Sequence, residues 1–104
     1  MRAEIESFAS ALRSALKASR NTADSYRRDL HFFRDFMLER RSPLNASGDE
    51  IVIESITADH IRLYLAQVMK KSSRATAQRR LFAIKAFFGH LEKVSGIPNP
   101  AAMM

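Results

Sequence analysis

Apolar residues recur every three or four positions along most of the chain, and this spacing constrains the fold more than any other feature of the sequence. The clearest example is the segment from about Ala75 to Val94. Its apolar side chains fall on one helix face: Ala77, Leu81, Ile84, Phe88 and Leu91. No segment alternates apolar and polar residues as a half-buried strand does. The sequence therefore predicts an all-α fold.

The same spacing predicts three further helices, over about 4–18, about 22–40 and about 57–70. Short polar side chains accept hydrogen bonds from the free N–H groups at a helix start. We therefore expect Asn21 or Thr22 to cap the second helix and Thr57 to cap the third. Gly96 is expected to end the fourth helix, because glycine readily adopts the left-handed conformation of a C-terminal cap.

Three parts of the chain lie outside these helical patterns. Residues 42–56 are rich in turn formers and predict a connection, in which 51–53 form a short extended piece packed on the helices. The tail 99–104 shows no packing pattern of its own, and a fifth short helix is expected there only if more chain follows. Phe32 and Phe82 lie off the apolar stripes of their helices. We expect a loop to cover them, with contact to another protein as the alternative.

Composition excludes several classes of chemistry. The chain has 104 residues, enough for one domain, and no cysteine, which removes disulfides and thiolate sites. Its three histidines lie far apart on different helices, and its three glycines form no phosphate loop. We expect no catalytic residue, no metal and no cofactor. Because no apolar run approaches the roughly 20 residues that span a bilayer, we also expect a soluble, cytoplasmic protein with no membrane partner.

Charge is distributed unevenly along the chain, whose net charge is +6. Residues 42–69 hold one Lys/Arg and four Asp/Glu, whereas residues 70–104 hold seven Lys/Arg and one Asp/Glu. Residues 1–41 are mildly basic, with nine Lys/Arg and six Asp/Glu. Such segregation favours a binding face for a polyanion over general solvation.

Two basic groups stand at predicted helix starts. The first is Arg20, Asn21, Thr22, Ser25, Arg27 and Arg28, and the second is Lys70, Lys71, Ser72, Ser73, Arg74, Thr76, Gln78 and Arg79. Helix N-termini and hydroxyls bind phosphate, while arginine and glutamine can contact base edges in the major groove. Because Arg79 projects away from the apolar stripe, we expect its side chain to be free to reach a partner. The residues alone thus favour binding of double-stranded DNA.

Several of these segments resemble the N-terminal half of Xer-type tyrosine recombinases and phage integrases. Residues 21–30 with Phe33 and Phe36 resemble their second helix, and residues 56–61 with Tyr64 and Leu65 resemble the start of their third. Residues 73–91 resemble the fourth helix, and Ile97-Pro98-Asn99-Pro100 resembles the junction before their catalytic domain. The order and spacing of the segments carry the resemblance, which covers about residues 5 to 100.

The resemblance implies a SAM-like core-binding domain, an orthogonal bundle of four to five helices that forms a single domain over residues 1–104. In the family this domain and a catalytic domain clamp a recombination half-site, with the second and fourth helices at the major groove. The implied DNA contacts are Asn21, Thr22, Ser25, Arg28, Lys71, Ser73, Arg74, Thr76, Gln78 and Arg79. The first helix and the tail are implied to contact other recombinase subunits in a synaptic complex.

The family's catalytic Arg, Lys, His and Tyr residues belong to the domain that follows, which this sequence lacks. We therefore expect a truncated, monomeric chain that binds DNA weakly and is not an enzyme, with Tyr26 and Tyr64 in the core. Two alternatives remain open. One is a helical protein-interaction module whose basic face meets an acidic partner. The other is a helix-turn-helix regulator, disfavoured because no short glycine-containing turn joins helices of suitable length.

Overall fold

The computed structural model describes residues 1–14 and 19–104. These residues form four α-helices: α1 (Arg2–Arg13), α2 (Arg20–Arg40), α3 (Ala58–Lys71) and α4 (Arg74–Ser95). A single 3-10 turn, Ile53–Ser55, precedes α3. No strand forms in the described ranges, where Leu44 and Ile51 make an isolated antiparallel bridge. The predicted all-α fold is confirmed.

Local hydrogen bonds decide where the helices begin. The N-cap of α2 is Ser19, whose hydroxyl accepts the N–H of Thr22 at 3.0 Å. The expected cap at Asn21 or Thr22 is therefore wrong, since both residues lie within the first turn. At α3 the expected cap is confirmed: the Thr57 hydroxyl accepts the N–H of His60, and His60 Nδ1 accepts the N–H of Thr57 at 2.9 Å.

Helix ends follow the expected pattern in part. Gly96 ends α4 in the left-handed conformation with φ of 68°, as predicted. Helix α1 ends at Arg13, with Ser14 as its C-cap. The last four residues of the helix predicted over about 4–18 lie outside the described residues.

Aromatic side chains join the helices in the core. Phe8 of α1 meets Phe87 of α4 edge-on, with ring centroids 5.6 Å apart. The ring centroids of Phe33 in α2 and Tyr64 in α3 lie 5.1 Å apart, and Tyr64 is buried as predicted. Tyr26 is only partly buried but stacks on Phe8. Burying such rings is the largest favourable contribution available to a domain of this size.

The connection between α2 and α3 is fixed to the helices. Ile51 and Ile53 are buried, which confirms that this piece packs on the helices, but Ile53 begins the 3-10 turn, so the piece is not extended throughout as expected. The Glu50 carboxylate accepts the Nε–H of Arg34 at 2.9 Å, the N–H of Ile51 at 2.8 Å and the N–H of Arg2 at 3.3 Å. One carboxylate therefore links the connection to α1 and α2.

The tail and two phenylalanines differ from expectation. Ala101 is buried, Met104 packs against the core, and Lys85 Nζ donates to the Met104 carbonyl at 3.0 Å. The tail thus packs on the domain, and it does so through turns, with no fifth helix among the described residues. Phe32 and Phe82 are 42% and 53% exposed. The expectation that a loop covers them is therefore wrong.

Candidate nucleic-acid interface

The starts of α2 and α4 carry the same five-residue pattern, S-R-x-T-A. It occupies residues 19–23 before and within α2 and residues 73–77 before and within α4. In both copies the serine is the N-cap, the arginine is exposed and the alanine is buried. The same local structure therefore occurs twice. Reading the sequence for apolar stripes missed it, because the shared residues lie mostly outside the stripes.

Hydroxyl groups within each start bond to each other. The Ser73 hydroxyl accepts the N–H of Thr76 and donates to Thr76 Oγ1, both at 3.1 Å. Ser19 does the same with Thr22, at 3.0 and 2.8 Å. These hydroxyls thus hold the turn in shape. The N–H groups of the first two helical residues have no partner within the helix and lie at the positive end of its dipole, so they remain available to an anion.

At the start of α2, the structure separates free cations from paired ones. Asn21, Thr22 and Arg28 are exposed and Ser25 is half-buried. No ion pair forms between Arg28 and any described residue. Arg27, in contrast, donates to Glu6 of α1 at 2.8 Å and lowers the pKa of that carboxyl by this hydrogen bond. Arg28 is therefore the better placed of the two adjacent arginines to meet an external anion.

The start of α4 is more strongly basic. Only Ser72 and Ser73 separate α3 from α4, so the C-terminal lysines of α3 and the first residue of α4 lie close together. Lys70, Lys71 and Arg74 are exposed and form no ion pair within the described ranges. Three unpaired cations around a two-residue turn make this end of the α3–α4 pair strongly positive.

Residues further along α4 have distinct surroundings. Ser73 and Gln78 are exposed and Thr76 is half-buried. Gln78 and Arg74 border a groove of 320 Å³ whose remaining lining is apolar: Leu65, Met69, Ala77 and Leu81. The predicted contacts of this group thus surround the exposed end of the α3–α4 pair.

Arg79 is not free, which corrects the expectation drawn from its position off the stripe. Its Nη2 donates to Asp29 Oδ1 of α2 at 3.2 Å, although 48% of its side chain is exposed. The Asp29 side chain is completely buried. A guanidinium has five N–H donors, so the exposed part of Arg79 can still contact a partner.

The Asp29 carboxylate belongs to a network that joins three helices. Arg80 Nε lies 4.0 Å from Asp29 Oδ1, and Arg80 Nη1 donates to the Tyr64 hydroxyl at 3.1 Å. The Arg80 guanidinium also lies over the Phe32 ring, 4.6 Å from its centroid. The sequence held one signal that was missed: Asp29 is three residues after Tyr26 and four before Phe33, so it lies on the inward face of α2.

The Asp29–Arg79 contact also limits the distance between the starts of α2 and α4. With a rise of about 1.5 Å per residue, Ser19 lies about 15 Å and Ser73 about 9 Å from this contact along their helices. Adding an interaxial distance of about 10 Å gives an upper limit of about 34 Å. The two helix starts therefore fit within one turn of duplex DNA, which is about 34 Å long.

Two further features are absent from the part of the chain that the structure describes. There, no three or more His, Cys, Asp or Glu side chains are arranged to hold a metal ion. Across residues 1–14 and 19–104, no helix is long and apolar enough to cross a membrane.

Comparison with known proteins identifies the family. The sequence profile described as "Phage integrase, N-terminal SAM-like domain" matches residues 5–93. The chain therefore belongs to this family, and the expected SAM-like fold is confirmed. No solved structure matches the chain.

Two curated relatives are tyrosine recombinases named XerC. The protein of Chlamydia muridarum is 32% identical over 117 residues, a match covering 100% of this chain and 37% of that protein. The protein of Pelobacter propionicus is 28% identical over 102 residues, covering 97% of this chain and 32% of that protein. The chain thus spans about a third of the length of these relatives.

Proposed function

We propose that this chain is the core-binding domain with which a tyrosine recombinase holds double-stranded DNA at one half of a recombination site. The observation that carries the proposal is the pair of capped helix starts, around which Arg28, Lys70, Lys71 and Arg74 have no ion-pair partner among the described residues. Unpaired cations beside a helix N-terminus are suited to phosphate oxygens. Family membership and the two XerC relatives support the recombination context.

The proposed DNA contacts divide by chemistry. Lys71, Arg74 and Arg28, with the free N–H groups of the two helix starts, neutralise phosphates. Gln78 and Arg79 lie further along α4 and reach base edges in the major groove, where a glutamine can pair with adenine and an arginine with guanine. Asn21, Thr22, Ser25, Ser73 and Thr76 complete the proposed interface. Of these, the hydroxyls of Thr22, Ser73 and Thr76 act by holding the turns.

Strand cleavage is proposed to belong to the catalytic domain of a full-length recombinase, with this chain supplying DNA affinity and orientation. The chain is proposed to be monomeric alone and to meet other recombinase subunits only on DNA. Exposed Phe82 and the packed tail offer surfaces for those contacts.

The test is fluorescence anisotropy of the 104-residue chain with a random-sequence duplex at several salt concentrations. Each neutralised phosphate contributes about 0.9 to the slope of log affinity against log salt. Arg74→Gln should therefore lower the slope by about 0.9, and Lys71→Gln with Arg74→Gln by about 1.8. Lys93→Gln removes the same charge at the other end of α4 and should leave the slope unchanged.

Two results would contradict the proposal. No binding by the wild-type chain at low salt would remove the DNA-binding function and favour a helical module whose basic face meets an acidic protein. An equal loss of slope for Lys93→Gln and Arg74→Gln would show diffuse attraction by net charge. The interface assigned to the helix starts would then be wrong.

A further inference from the structure

One buried carboxylate lies directly behind the proposed DNA-binding face. Asp29 is the one charged residue among the described ranges that is buried. Its Oδ1 accepts from Arg79, while its Oδ2 has no hydrogen-bond partner among the described residues. A buried carboxylate is costly unless cations compensate it. Asp29 therefore attracts the two guanidinium groups at the start of α4 strongly.

The two arginines beside Asp29 differ in what else they contact. Arg80 is held by Tyr64 and Phe32, and only 19% of its side chain is exposed. For Arg79, the bond to Asp29 is the one hydrogen bond that its side chain makes to a described residue, and about half of the side chain faces solvent. Asp29 thus restrains an arginine that is still exposed enough to contact a partner.

We propose that Asp29 is a positioning residue, which holds Arg79 in one orientation at the DNA-facing start of α4 and offsets its charge. This inference rests on the proposed DNA-binding function. A held guanidinium has fewer orientations to lose when it pairs with a base edge, which favours one base over others. An offset charge is attracted less by phosphates of any sequence. Asp29 therefore increases discrimination between sequences and lowers non-specific affinity.

Removing the Asp29–Arg79 interaction should strengthen the binding of DNA. Asp29→Asn keeps the shape of the side chain but removes its charge, which releases Arg79 to neutralise a phosphate. With a random-sequence duplex, the slope of log affinity against log salt should become steeper by about 0.9. One added phosphate contact corresponds to roughly three- to tenfold tighter binding at 0.1 M salt.

Two comparisons separate positioning from a general change in charge. Asp35→Asn removes the same charge from an exposed site on the same helix, and it should change the slope much less than Asp29→Asn does. In an Arg79→Gln background, Asp29→Asn should no longer steepen the slope, because the arginine that it releases is absent. Equal effects of Asp29→Asn with and without Arg79 would overturn the inference.

A second measurement on the wild-type chain does not depend on the stability of Asp29→Asn. ¹⁵N relaxation of the arginine Nε–H groups, with Arg79→Gln used for assignment, should show Arg79 more rigid than unpaired Arg74. Equal mobility of the two side chains would overturn the inference.

Failure of the proposed function gives a different pattern. If the wild-type chain does not bind the duplex, both the function and the inference fall. If the wild-type chain binds and Asp29→Asn leaves the slope unchanged, only the inference is wrong.

Discussion

Glu50→Gln tests whether one carboxylate holds the α2–α3 connection to the helices. Burial alone would raise the pKa of Glu50, but hydrogen bonds from Arg34, from the N–H groups of Ile51 and Arg2, and the nearby N-terminal amine outweigh it and lower the pKa from 4.5 to about 2. At about 1.36 kcal/mol per pKa unit, this corresponds to roughly 3 kcal/mol. The side chain is 28% exposed, so screening by solvent reduces the contribution to about 2 kcal/mol.

The effect depends on pH in a definite direction. Because the pKa of Glu50 is lower in the folded chain than in the unfolded chain, the stabilisation is present above about pH 4.5 and is lost as the pH falls toward 2. Wild type should therefore exceed Glu50→Gln in free energy of unfolding by about 2 kcal/mol at pH 7. The two proteins should converge between pH 4.5 and pH 2.

Urea unfolding followed by far-ultraviolet circular dichroism at pH 7, 5, 4 and 3 measures this difference. Glu54→Gln is the matched control, because Glu54 lies exposed on the adjacent 3-10 turn and accepts no side-chain hydrogen bond within the described ranges. Equal stability of wild type and Glu50→Gln at pH 7 would refute the reasoning. So would a difference between them that stays constant down to pH 3.

Two further substitutions test the core and a helix start. Phe87→Ala removes a fully buried ring that contacts Phe8 and Phe88, and it should cost about 3–5 kcal/mol in urea unfolding; a loss under 1 kcal/mol would mean that the three rings are not packed as described. Ser73→Ala removes the N-cap of α4 and should cost about 1 kcal/mol, whereas Ser72→Ala should be neutral; equal stability of the two variants would contradict the assigned cap.

Helical spacing predicted the fold because burial of one stripe per helix is the main requirement of a small all-α domain. The starts of helices were less predictable, because several polar residues near a helix start can each act as a cap. Ser19, Asn21 and Thr22 all qualify by residue type, and the backbone conformation of Ser19 decides between them. The tail was misjudged for another reason: Ala101 is buried by residues distant in sequence, which a local pattern does not reveal.

As with the fold, the parts of the candidate site that depend on neighbouring residues could be predicted, whereas contacts between distant residues could not. Exposed cations such as Lys71 and Arg74 could be recognised because they lie outside the apolar stripes. The ion pair of Arg27 with Glu6 and that of Arg79 with Asp29 link different helices. A sequence read by local spacing therefore counts all four cations as free. Only the tertiary structure separates the unpaired cations from those that already form an ion pair.

Helices α2 and α4 share more than their S-R-x-T-A starts. When the two starts are aligned, buried Leu30 falls on Ile84, and buried Phe33 falls on Phe87. The two helices differ at the contact between them, because charged Asp29 of α2 aligns with Ala83 of α4. In the same alignment Ser25 of α2 falls on Arg79 of α4.

Within the proposed function, this difference gives the two helices different roles. Both carry a capped, cation-bearing start that can anchor phosphates, but only α4 presents an arginine held by a carboxylate of the other helix. Because anchoring fixes position and a held arginine can select a base, the proposed function assigns base contact to α4 and only phosphate anchoring to the matching start of α2.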